Sequence, residues 1–350
     1  MLSDIQIREL VKDYGSSVSH GRSIATLISD GELPRLSACT VAKGKVSDSV
    51  FGDELTCRDG RPLRLMFRNN RISTHDVNRG TIPFKDQVLA LNHDLMLRLV
   101  EGVLGTSQFK VPGLKAASTV IPAENLKVIP LENVVRLYNA ESSTSTSLYQ
   151  HWLMAKKAGQ EQIVFAGHKI DVDALTVNGR LPYLMDTPST KAEVDHTTAA
   201  SELVSAGVCT EQQYNQIRNS SMMAFGIVSQ FLKTKGMVLV DTKTEHGLTR
   251  EGNIVAADEL YTMDSSRFWR LEENGELALR DGKPVSFSKE FARGMVTEQD
   301  QQFTSAQAAE IAVRYIQGLQ HLSGLEFTPD LRDHDERIVE STNLILDALL

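Results

Sequence analysis

MVLVDTKTEHGLTREGNIVAADEL, residues 237–260, reads as two strands joined by a tight turn. Residues 237–247 alternate at period two, Arg250–Asn253 has the composition of a turn, and the NIVAADEL run that follows is strand-like again. Successive side chains of a strand point to opposite faces, so Asp241, Lys243 and Glu245 share one face. With the turn centred on Glu251–Gly252, Glu245 falls opposite Asp258, and Glu259 comes next. Carboxylates from two strands would then gather round one lysine. Two hard oxygen donors on neighbouring strands suit Mg2+, which keeps several waters and completes its shell with phosphate oxygens. A solvated hairpin face has the same pattern, so the hairpin alone leaves both readings open.

Helices flank this hairpin. Upstream, residues 211–235 place Tyr214, Ile217, Ala224, Val228 and Phe231 on one face, with Thr210 and Gln213 as a capping box and Gly236 as the stop. Downstream, a helix starting at Thr304–Gln307 turns Ile311, Tyr315, Leu319 and Leu322 inward and ends at Gly324. His334 and Asp335 then read as part of a charged, solvated tail. Towards the N-terminus, residues 1–35 predict an amphipathic helical extension. Short strands with Gly44, Gly52 and Gly60 as turn markers follow to Ile82. Val88, Leu91, Leu95, Leu99 and Val103 recur at helical spacing up to Gly105, and residues 117–138 return to strand character. Early strands and hairpins with later helices predict an α+β fold in two lobes.

A chain of 350 residues buries about three quarters of its unfolded surface and needs no staple to hold a core. The 45 acidic against 37 basic side chains leave −8, which speaks against a general nucleic-acid or anionic-membrane surface. Cys39, Cys57 and Cys209 form no CxxC pair and no disulfide framework. The apolar runs fall far short of the ~20 residues of a membrane helix. The charged start MLSDIQIRELVKDYG is no secretory signal, so a cytoplasmic setting is expected.

Four further clusters could carry chemistry. In AKGKV, residues 42–46, Lys43 and Lys45 flank Gly44 at a strand–turn, where amides and ammonium groups can meet a phosphate chain; a plain β-turn looks the same. In VVRLYNAESSTSTSLY, residues 134–149, Arg136 precedes a hydroxyl-rich loop that holds Ser142 and Ser143, and the pair suits either a phosphate pocket or an exposed linker. TPSTKAEVDH, residues 187–196, contributes Lys191 and His196, and MDSSRFW, residues 263–269, contributes Asp264, Ser266 and Arg267. His20, His93, His151 and His321 are isolated and suit ordinary surface or core roles.

The order of these clusters resembles the SAICAR synthetase family, the phosphoribosylaminoimidazole-succinocarboxamide synthases of purine biosynthesis. The resemblance is carried by GKVSD (44–48), NRISTHDV (70–77), IPFKDQVL (82–89), VVR (134–136), STSTSL (143–148), TPSTKA (187–192), VDTKTEHGL (240–248), DELYTMDSSRFW (258–269) and FSKEFARGM (287–295). It implies an N-terminal antiparallel β lobe (36–115), a larger α/β lobe (116–300) bearing the substrate and metal site, and an ATP cleft between them. A helical extension (1–35) and C-terminal helices with a tail (301–350) complete the chain. The implied activity is an ATP-dependent amide ligase with Mg2+. It joins L-aspartate to carboxyaminoimidazole ribonucleotide (CAIR) through an acyl phosphate, giving SAICAR, ADP and phosphate. Only small molecules are implied as partners of a monomer or small homo-oligomer.

Carried over by position, the resemblance implies that Lys43, Gly44, Lys45 and Asp258 serve the nucleotide, and that Glu245 and Asp258 hold Mg2+. Asp241, Lys243 and Arg267 lie beside the reacting groups. Arg136, Ser142 or Ser143, Lys191, His196, Asp264 and Ser266 serve the substrate. The chain departs from the family at Ser47, where an arginine is usual, at Asp86, where glycine is common, and at Thr197, where aspartate follows the histidine. These departures leave open an amide ligase for another carboxylate, or a nucleotide-binding relative without catalysis.

Overall fold

Residues 237–248 form the long strand that their alternation predicts, and it is the middle of an antiparallel sheet. The order across this sheet is Arg180–Asp186, Lys127–Tyr138, Met237–Leu248, Ile254–Ala257, with Ser189–Thr190 also on Lys127–Tyr138 and Ser266–Arg270 also on Met237–Leu248. The computed structural model describes the chain apart from residues 45, 75–76, 191–196 and 297–301. Helix Glu211–Lys233 covers one face of the sheet with Tyr214, Ile217, Ala224, Phe225, Val228 and Leu232. Its capping box at Thr210 and Gln213 is formed as expected, and Gly236 follows in a left-handed conformation. A neighbouring apolar cluster joins Trp152 and Leu148 of helix Leu148–Lys157 to Phe165, Ile170 and Met185.

A second sheet, also antiparallel, runs Thr40–Lys43, Ser47–Thr56, Pro62–Arg68, Val120–Glu124. One core joins Val50, Leu63, Leu65, Phe67 and Val120 of this sheet to Ile24, Leu27, Leu33 and Leu36, and to Ile338, Ile345 and Leu346. The last three belong to helix His334–Leu349, which corrects the reading of this region as a solvated tail. Asp333 caps that helix through the Asp335 and Glu336 N–H groups. Its buried face repeats at three- and four-residue spacing through Ile338, Ser341, Thr342, Ile345 and Leu346, and the two hydroxyl residues in the middle obscure the apolar pattern. His334 and Asp335 are largely buried and hydrogen-bonded to each other, and Asp335 also binds Arg22.

Two compact units result, each assembled from separated segments. The first comprises Met1–Leu95, Ser107–Leu126 and Phe287–Leu350, and the second Met96–Thr106 and Lys127–Ser286. Helices Asp4–Ser19 and Ser305–Ser323 pack together in the first unit. Among the described residues no helix is long and apolar enough to cross a membrane.

Candidate active site

Strand Met237–Leu248 is paired along both edges, and its neighbours decide what joins the Asp241–Lys243–Glu245 face. On Lys127–Tyr138 the partners are Arg136 for Asp241, Val134 for Lys243 and Glu132 for Glu245. On Ser266–Arg270, Asp241 is opposite Arg267. The hairpin partner of Glu245 is Ala257 and not Asp258, so the expected register is corrected by one residue. The turn causes this. Thr249 N–H donates to the Asn253 carbonyl (2.9 Å) and Gly252 N–H to the Thr249 carbonyl (2.9 Å), which centres the turn on Glu251. Asp258 therefore lies one step past the strand, exposed, with a left-handed φ of 59°.

The carboxylate that meets Glu245 is thus Glu132. Lys243 Nζ donates to Glu132 and to Glu245 Oε1, the latter at 3.2 Å. Both glutamates are nine-tenths buried or more. Burial works against the lysine's charge, but Glu245 and Glu132 outweigh it and hold the ammonium above its ordinary range. Glu132 was legible in principle: LENVVR places Glu132, Val134 and Arg136 on one face at period two. A single glutamate within an apolar run gives no further signal of its partner.

Arg267 forks onto Asp241, with Nε 3.0 Å from each carboxylate oxygen and Nη2 2.6 Å from Oδ2. Its Nη1 donates to the Glu141 carbonyl at 3.4 Å, directly before Ser142. Arg136 is held differently. Its Nε donates to Thr187 Oγ1 at 2.7 Å, and its guanidinium lies 5.7 Å from the centre of the Phe165 ring. Nη1 and Nη2 of Arg136 meet no protein acceptor among the described residues. Burial, abetted by Arg267 and opposed by Asp241, lowers its pKa to about 10. The arrangement leaves the two terminal nitrogens of the Arg136 fork as donors at a cationic corner, which is what a phosphate or carboxylate binds.

The remaining expected residues take supporting places. Ser142 is half-buried: its Oγ accepts from Thr144 N–H (3.2 Å) and its carbonyl from Gln150 Nε2 (2.6 Å), whereas Ser143 is exposed. Ser266 Oγ is 2.8 Å from Thr242 Oγ1. That pair lies on the sheet face opposite Asp241 and Arg267, where it braces the two strands. Asp264 N–H and Ser265 N–H both donate to Thr262 Oγ1 at 3.2 Å, and this closes the turn that delivers Arg267. Lys191 and His196 lie outside the described residues. Thr197 bridges to Ser189 next to the central strands.

In the first unit, Gly44 joins strands Thr40–Lys43 and Ser47–Thr56. Its N–H donates to Asp48 Oδ1 (3.3 Å), and its carbonyl accepts from Arg71 Nη2 (2.8 Å). Arg71 is also paired with the buried Asp48. A Cβ at residue 44 would fall 2.4 Å from the Ser47 carbonyl oxygen, so only glycine fits. Lys43 is exposed beside it, and Lys45 lies outside the described residues. Asp48 lies in GKVSD and Arg71 in NRISTHDV, and no local signal pairs them, because their contact joins residues 23 positions apart.

No three His, Cys, Asp or Glu side chains gather as a metal cage among the described residues. The Glu132–Glu245 pair does offer two hard oxygen donors. That donor set fits an ion such as Mg2+, which takes the rest of its shell from water and phosphate.

A family model described as SAICAR synthetase matches residues 41–309. Over 88% of its length the chain is 30% identical to the chloroplastic phosphoribosylaminoimidazole-succinocarboxamide synthase of Arabidopsis thaliana, of which the match spans 72%. The SAICAR synthase of Saccharomyces cerevisiae complexed with SAICAR has a TM-score of 0.68 at 21% identity, over 89% of this chain and 100% of that one. A type-2 SAICAR synthetase in complex with ADP has a TM-score of 0.59 at 19% identity, over 83% and 100%. The solved structures establish a shared fold. The family match runs through every strand that builds the Asp241–Arg136–Arg267 face, and by that match this chain belongs to the SAICAR synthetase family.

Proposed function

We propose that the chain is an ATP-dependent amide ligase that joins L-aspartate to the carboxylate of CAIR, forming SAICAR, ADP and phosphate through an acyl phosphate. The observation that carries this reading is the Arg136 guanidinium, fixed through Nε and with neither terminal nitrogen meeting a protein acceptor among the described residues, in the same ladder as the Glu132–Lys243–Glu245 group. The names of the relatives, and their complexes with SAICAR and ADP, support it.

A carboxylate resists an amine because its leaving group would be oxide. Phosphorylation replaces oxide by phosphate, but two anions must first approach in line. Lys243 supplies a fixed positive charge for that approach, and Glu132 and Glu245 keep it protonated and aimed. Arg136 grips the ribonucleotide phosphate through its free fork, and Arg267, locked to Asp241, completes the cationic corner. Gly44 and Lys43 line the nucleotide's phosphates. Mg2+ held by Glu245 and Glu132 with phosphate oxygens would neutralise charge on the transferring group. The remaining task is positioning, which the sheet performs. The three cysteines are free thiols, as a reducing compartment allows, and we place the enzyme in the cytoplasm.

The deciding experiment is ADP release measured with CAIR, L-aspartate, ATP and Mg2+, each omitted in turn. Release is expected only when all four are present. Release with aspartate and a different imidazole carboxylate, but not with CAIR, would move the reading to another amide ligase. ATP binding without release would mark a non-catalytic relative.

A further inference from the structure

Asp86 stands where the family resemblance leads one to expect glycine, and the structure assigns it a partner. Its side chain is wholly buried, and Oδ2 is 3.0 Å from Nη2 of Arg337, which is equally buried. Arg337 belongs to helix His334–Leu349, beyond the stretch that the family model matches. The same guanidinium donates to the Ala117 carbonyl (2.9 Å). Around Asp86 the chain is tied to the C-terminal segment twice more. Gln87 and Asp330 exchange two hydrogen bonds of 2.9 and 2.8 Å, and Phe84, at a left-handed φ of 61°, packs edge-on against Phe327.

This anchored point leads to the Gly44 loop through two hydrogen bonds and the peptide link between Asn70 and Arg71. Asp86 N–H donates to Asn70 Oδ1 (2.9 Å). Asn70 precedes Arg71, and Arg71 holds the Gly44 carbonyl and Asp48. Close packing does not fix this route, because a cavity of about 160 Å³, lined among others by Asn70, Arg71, His334 and Ile338, lies beside it. A buried ion pair is also a poor device for stability alone, since well-packed apolar residues serve as well or better; what it adds is directional geometry.

We infer that Arg337 is a positioning residue for the nucleotide loop, acting through Asp86, Asn70 and Arg71 on the Gly44 carbonyl. The inference rests on the reading of that loop as the phosphate site. Two variants of the full chain test it: Asp86→Leu/Arg337→Met, which removes both charges together, and Asn70→Ala, which cuts the next link. ATP affinity is measured by calorimetry, KM for ATP, CAIR and aspartate by ADP release, and folding by thermal melting. Both variants should melt cooperatively and show KM and Kd for ATP raised roughly tenfold or more, the scale of a remote misplacement, with KM for CAIR and aspartate little changed. Unchanged ATP affinity in the folded double variant overturns the inference and leaves the ligase reading standing, as does an equal rise in all three KM values. Failure of the unaltered chain to bind ATP overturns both.

Discussion

Replacing Arg136 by lysine keeps the charge and loses the planar fork. The expected result is a KM for CAIR raised by about 1–3 kcal/mol of binding, with kcat and the KM for ATP nearly unchanged. A larger rise for ATP would mean that Arg136 holds the wrong phosphate. Glu132→Gln preserves shape and removes one of the two charges that hold Lys243. Turnover should fall steeply, and the Mg2+ concentration for half-maximal rate should rise if the pair also holds the ion. Gly44→Ala places a methyl group against the Ser47 carbonyl, so the loop must shift and the KM for ATP should rise while CAIR is spared. At this scale the sequence was readable only within one strand. Period two put Asp241, Lys243 and Glu245 on one face, but nothing local says that Arg267 turns to Asp241. A register fixed by two turn hydrogen bonds likewise leaves no mark in composition, and so Ala257 stands opposite Glu245 where Asp258 was expected, while Glu132 meets Glu245 from the strand on the other edge.

Helix Lys85–Leu104 shows what an element can hide inside a regular pattern. His93 is buried in it and hydrogen-bonded to Gln108, and desolvation, with help from Arg68, lowers its pKa to about 3. The unfolded chain takes up a proton near pH 6.5, whereas the folded chain does not until about pH 3. The unfolded state therefore binds more protons in that window, and stability present at neutral pH is lost as the pH falls. Urea unfolding should show a loss of about 2 kcal/mol between pH 7.5 and pH 5 from this group. His93→Leu should flatten the slope by that amount, and an identical slope in both proteins would place the titration elsewhere. The helix itself was legible from its apolar spacing and its closing glycine, because those signals are local. The strength of burial at one position depends on what covers it, and the partner seen at His93, Gln108, comes from outside the helix.

Across the molecule, the ion pair between Asp86 and Arg337 joins residues 251 positions apart. Arg337→Met alone strands a buried carboxylate and should cost about 3–5 kcal/mol, a large share of a typical folding stability, seen as a lower melting temperature. The paired apolar variant should recover most of it. The α+β class was legible, since strands and helices announce themselves by period, in a chain that divides into two compact parts. The composition of each part was not, because a contiguous reading cannot show that residues 1–95 share a core with residues 287–350. That division also bears on how the chain is made. The second unit is complete in sequence once Ser286 has left the ribosome, whereas the first waits for the helix that carries Ile338, Ile345 and Leu346. Synthesis therefore delivers the inner part of the gene product first as a foldable body and leaves the earliest residues without their core until the end. Nascent chains arrested at the length where Ser286 has just cleared the ribosome should resist protease across 127–286 while residues 1–95 are still cut, so a chaperone that shields the emerging protein has the N-terminal segment as its client.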